Sequence, residues 1–214
     1  MKKNILVIAF LSVMVVVNGQ DIELKSRSLT LKLPTTSFFG DIYSESMGIG
    51  LGLEHMIKPS VSVSYELNYI FHTDHNSILR EDIDDVNGFK LTTEVRKYFS
   101  SKEIPESGFF VNTELKSIFT KSTETLTVIT GSFVENEISR FRGVLTANMG
   151  VLVYWDKNKE SRITLEILGG CGLGYITATS SADVESMSAI SDYNTANELY
   201  PWLNIDIKIG FVLK

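Results

Sequence analysis

The chain has 214 residues, a single cysteine and a formal charge of −6. That length fits one domain of ordinary size. The acidic balance excludes a nucleic-acid binder, which must neutralise phosphates, and a lone cysteine, Cys171, excludes an intrachain disulfide. Cys171 reads as a small apolar side chain rather than a reactive thiol.

The first element in the chain is an export signal. Lys2 and Lys3 precede the apolar runs Ile5–Leu11 and Val13–Val17, and Asn18-Gly19-Gln20 follows. A charged start, a short apolar middle and small residues at the boundary predict a secretory signal peptide over 1–19, cleaved before Gln20, with the mature domain over 20–214. The apolar run falls short of the roughly 20 residues a membrane-spanning helix needs. Loss of Lys2 and Lys3 takes the charge from −6 to −8. Beyond residue 19 no apolar run has the length of a transmembrane helix. An exported chain of this kind enters a membrane only as a closed barrel, because an open sheet edge leaves backbone groups unpaired in lipid.

Period-two alternation then recurs along the chain, predicting strands near 28–35, 47–56, 60–71, 88–99, 107–119, 141–155, 162–176 and 201–213. In the first, Leu29, Leu31 and Leu33 alternate until Pro34 cuts the run. The connections 56–60, 100–106 and 156–161 are short; 36–46, 72–87, 120–140 and 177–200 are long and polar. Short turns on one side and long loops on the other predict an all-β, eight-stranded antiparallel up-and-down transmembrane β-barrel, with both termini on the periplasmic side. Within the third long loop, Leu126 to Val134 reads as strands 5 and 6 continuing to a hairpin tip near Gly131-Ser132.

Each strand has an apolar and a polar face. Val61, Val63, Tyr65, Leu67, Tyr69 and Phe71 oppose Ser62, Ser64, Glu66 and Asn68; Leu203, Ile205, Ile207, Ile209, Phe211 and Leu213 oppose Asn204, Asp206, Lys208 and Gly210. A soluble lipocalin-like carrier would show the same alternation with the apolar face inward. Two features favour the membrane form. The aromatics are graded by depth: Phe71, Phe119, Phe141 and Tyr175 fall at the long-loop end, and Phe99, Phe109, Trp155 and Phe211 at the short-turn end, around an aliphatic middle. That is an aromatic girdle at two interfaces. The polar face also carries Gly48, Gly50, Gly52, Gly170, Gly172 and Gly174, which leave room inside a narrow barrel.

On this reading Glu54, Glu66, Glu94, Glu114, Glu166 and Asp206 point inward with Lys90, Arg96, Lys116 and Lys208. Buried charges require partners, so an interior salt-bridge network is expected, with Arg96 the best bidentate donor. It would plug the lumen and make the barrel a non-porin.

The pair Leu51-Gly52-Leu53-Glu54 and Ser64-Tyr65-Glu66-Leu67, the segment Thr93 to Phe99, the glycine strand Gly169 to Tyr175 and the closing Ile207-Lys208-Ile209-Gly210-Phe211 resemble the small outer-membrane barrels of Bacteroidetes-type bacteria, including barrel domains of unknown function, and more distantly the OmpA-like transmembrane barrel. These barrels often end on an aromatic residue, whereas this chain ends Val212-Leu213-Lys214. The resemblance implies a fold and the outer membrane of a Gram-negative bacterium; it brings no catalytic residues.

One loop cluster stands apart. His72-Thr73-Asp74-His75 is followed by Ser77, Glu81, Asp82, Asp84 and Asp85. His72, Asp74 and His75 suit a rim site of a lipid-modifying outer-membrane enzyme, or a cation, or a solvated acidic loop; the last reading is preferred, with no metal and no cofactor. The functional expectation is therefore a monomeric structural or surface-interaction barrel, embedded in outer-membrane lipid and offering long loops to an extracellular partner. A lipid-modifying enzyme and a soluble carrier are the alternatives.

Overall fold

The computed structural model describes residues 29–35, 47–58, 60–71, 83–99, 108–127, 133–155, 162–180 and 198–213. They form eight strands: β1 (Leu29–Pro34), β2 (Met47–Lys58), β3 (Val61–Phe71), β4 (Ile83–Tyr98), β5 (Gly108–Thr127), β6 (Phe133–Tyr154), β7 (Ile163–Ser180) and β8 (Glu198–Leu213). Each pairs antiparallel with its sequence neighbour, and β8 pairs with β1, so one up-and-down sheet closes into a barrel. There is no helix among the described residues. β5 and β6 run well past the expected 119 and 141, paired out to Thr127↔Phe133. The hairpin tip at Gly131-Ser132 and residues 1–19 lie outside the described residues.

The closure is staggered. Following the register from Thr30 through Glu54, Ser64, Glu94, Glu114, Thr146 and Gly172 leads to Trp202 on β8. Thr30 itself pairs with Val212, ten residues further on. A stagger of this size tilts the strands by about 40° and leaves an interior just wide enough for side chains. At the β2–β3 corner the register shifts between Met56 and Lys58, and Ser60 takes a left-handed φ of 66°. Ser60 is anchored there by donation from Tyr98 N to its carbonyl, 2.7 Å.

Among the described residues the two hydrophobic clusters both lie inside the ring. Away from the register shifts in β2 and β4 and from the strand ends, even-numbered residues turn inward and odd-numbered ones outward, as the pleat demands. The outward aliphatic rows are open: Ile205 is 71% exposed, Met149 61% and Leu67 59%. Val63 is the exception, covered at its place in register between His55 and Val95.

Candidate functional site

Chemistry-bearing side chains converge in the lumen, which is layered. At the short-turn end Met56, Tyr98, Phe110, Leu152 and Leu168 pack together. At the long-loop end Ile70, Ile118, Val144 and Trp202 pack together, with Val86 and Tyr200 against them. Between these apolar layers lie the ionised groups. Glu66, Glu94, Arg96, Glu114, Glu166 and Lys208 are each at most 3% exposed, and Glu54, Lys116 and Asp206 are also buried. Lys90 is only half-buried.

The network starts with the acid–x–base spacing that puts two groups on one face of a strand. Glu94 and Arg96 on β4 form such a pair, with Arg96 Nη2 2.6 Å from Glu94 Oε1 and Nε donating to the same oxygen at 2.7 Å. Glu114 and Lys116 on β5 stand 3.7 Å apart, and Asp206 and Lys208 on β8 3.6 Å apart. Cross-lumen bonds then join the strands. Arg96 Nη1 reaches Glu166 Oε2 on β7 at 2.8 Å and donates to Tyr98 Oη at 3.0 Å; Tyr98 donates to Glu54 Oε1 at 2.6 Å. Lys208 pairs with Glu66 and lies 3.3 Å from Glu94 Oε2. Asn204 Nδ2 and Asn148 Nδ2 donate to Glu114 Oε2 at 2.8 and 3.2 Å, and Lys116 donates to Asn204 Oδ1 at 2.7 Å.

Lys32 belongs to this network, although it is not among the interior charges expected from the sequence. It is fully buried, 2.8 Å from Glu54 Oε2 and 2.9 Å from Glu166 Oε1. Its signal was present, since Leu29, Leu31 and Leu33 facing out put Lys32 inward. Equally unforeseen are the inward aromatics. Phe110 is completely buried, with the Arg96 guanidinium 4.0 Å from its ring centroid, a cation–π contact that shields the charge. The glycines make this packing feasible. A Cβ on Gly150 would stand 2.9 Å from Leu168 Cβ and nearer still to the Phe110 ring, and one on Gly52 2.6 Å from Glu66 Cγ.

The expected girdle residues all lie on the outward phase. Phe99, Phe109 and Trp155 are strongly exposed at the short-turn end, and Phe211 half-exposed; Phe119 and Tyr175 are exposed at the other end, with Phe71 and Phe141 half-buried. Phe89 extends that second row: its ring centroid is 4.9 Å from that of Phe119, which is 4.8 Å from that of Phe141. Cys171 is exposed on the outer face of β7.

Beneath the charged layer the lumen holds a void of about 10 Å³, lined by Thr30, Glu54, Tyr98, Tyr154, Thr164 and Glu166 among others. That is space for one water molecule. Among the described residues no group of His, Cys, Asp and Glu is placed to hold a metal. His72, Asp74 and His75 lie outside the described residues. No family model, curated protein or solved structure matches the chain.

Proposed function

We propose that this chain is a small, monomeric, non-porin β-barrel of a Gram-negative outer membrane. Its role is structural or surface-interacting, through the long loops, after export by a cleaved signal over 1–19. One observation carries the reading: the wall is inside-out for a water-soluble protein. Aliphatic side chains such as Leu203, at 61%, stand exposed around the ring, while Arg96 and Lys208 are buried within it. Monomeric soluble proteins rarely expose contiguous apolar patches beyond a few hundred Å², and each apolar Å² left in water forgoes about 25 cal/mol. Acyl chains remove that cost. Aromatic rows at both ends of the aliphatic band fit the two interfaces of a bilayer. A soluble carrier needs the aliphatic rows turned inward around a cavity, and here the ion pairs occupy that space. The crossed salt bridges support a plugged interior.

Electrophoresis tests the reading. Purified protein in detergent, run with and without boiling, is expected to migrate at two positions, the unboiled band being the folded barrel. A single position, combined with solubility in plain buffer, overturns the membrane assignment. Stable, large single-channel currents in planar bilayers overturn the non-porin assignment.

A further inference from the structure

Gly210 makes room on the inner face near the short-turn end. In the register it stands between Thr164 on β7 and Lys32 on β1. A Cβ there would meet Thr164 Oγ1 and come within 3.0 Å of Thr30 Cγ2. Both threonines line the void of about 10 Å³ beneath the charged layer.

Two polar atoms of this lining lack hydrogen-bond partners. Thr164 Oγ1 has none, in a residue 2% exposed. Glu166, 1% exposed, has the Lys32 ammonium 2.9 Å from Oε1 as an ion pair, but that oxygen accepts no directed hydrogen bond. The two residues are two apart on β7, so their side chains leave the same face of one strand. A buried hydroxyl without a partner forfeits the hydration it had in the unfolded chain.

The rest of the lining fixes the chemistry of what fits. Glu54 and Glu166 are matched by Lys32 and Arg96: Lys32 Nζ is 2.8 Å from Glu54 Oε2, and Arg96 Nη1 is 2.8 Å from Glu166 Oε2. With charges of each sign in equal number, the quartet calls for no further ion. Tyr98 Oη is committed, accepting from Arg96 and donating to Glu54. Met56 and Leu152 close another side with apolar groups. A ligand here must be neutral, as small as one heavy atom, and able both to accept from a hydroxyl and to donate to a carboxylate. Water meets all three requirements; cavities that stay dry are lined by apolar groups.

We propose that this void is the binding site of one ordered water, which accepts from Thr164 Oγ1 and donates to Glu166 Oε1. Thr30, Glu54 and Tyr154 supply its remaining partners from the same lining. The water joins the Thr164 hydroxyl to the ion network, at the carboxylate that Lys32 and Arg96 already share. The site belongs to the lumen and holds whatever surrounds the wall, so it goes beyond the outer-membrane reading.

Two measurements test it. A high-resolution crystal structure of the folded barrel is expected to show one density peak within hydrogen-bond distance of both Thr164 Oγ1 and Glu166 Oε1. No peak at that place, or one ringed by oxygens at the short distances of a bound cation, overturns the site. The second measurement is urea unfolding of Thr164→Val, which keeps the shape and removes the hydroxyl. With the water in place, the variant deprives the bridge of its donor, and the unfolding equilibrium constant is expected to rise about tenfold. In a dry void the same change removes an orphaned hydroxyl, which leaves the constant unchanged or lowers it; either result overturns the water. The crystal of the unaltered chain decides the matter if the valine variant fails to fold.

Discussion

Arg96 and Arg142 are the same residue type on the same inner face, and the difference between them separates the two halves of the lumen. Arg96 is 1% exposed, clasped by Glu94 and Glu166 and covered by Phe110; Arg142 is half-exposed near the long-loop rim. A charge held dry must be fully partnered, because an orphaned buried ion costs several kcal/mol. A charge that stays half-exposed keeps part of its hydration, so its pairing counts for less. The same sheet thus holds one arginine dry and leaves the other near solvent.

The contrast breaks first at Arg96. Arg96→Ala strips Glu94 and Glu166 of their shared cation, and a loss of about 3–5 kcal/mol is expected in urea unfolding of the lipid-reconstituted barrel. Arg142→Ala in the same assay is expected to cost below about 1 kcal/mol, the range of partly exposed pairs. Equal losses would erase the distinction between the halves. Of intermediate size is Met149→Arg, in the middle of the outward face. A charge there is expected to cost about 2–4 kcal/mol if acyl chains surround it, and nothing measurable if water does. Smallest is Lys121→Ala, which removes an exposed pair with Glu137; a change of at most about 1 kcal/mol is expected.

How much of this was legible differs from residue to residue. Alternation alone placed Glu66, Glu94, Glu114, Glu166 and Asp206 on the inner face, because a pleated strand has only two sides. It did not say which acid meets which base. Glu94 with Arg96 was within reach, two residues apart on one strand, but Lys208 with Glu66 depends on the ring's curvature and stagger. Lys32 is legible by the same alternation, since Leu29, Leu31 and Leu33 face outward, although Pro34 cuts the run to a few residues. Phe110, Tyr98 and Trp202 stand on the polar phase of their strands, where alternation predicts polar groups, because the lumen needs bulky apolar layers above and below its charges. The continuation of β5 and β6 beyond the rim was legible in the apolar run Leu126 to Val134, and the two strands pair out to Thr127↔Phe133.

Ring closure has a kinetic consequence. Lys32 meets Glu166 across 134 positions of chain, and Lys208 meets Glu66 across 142. Each link closes about two thirds of the 214-residue chain into a loop, and that loop entropy is spent before it forms. Folding with such high contact order is slow. Until β8 arrives, Glu66 faces a half-built lumen without Lys208, its ion-pair partner, and a chain stopped short of Glu198 lacks that partner altogether.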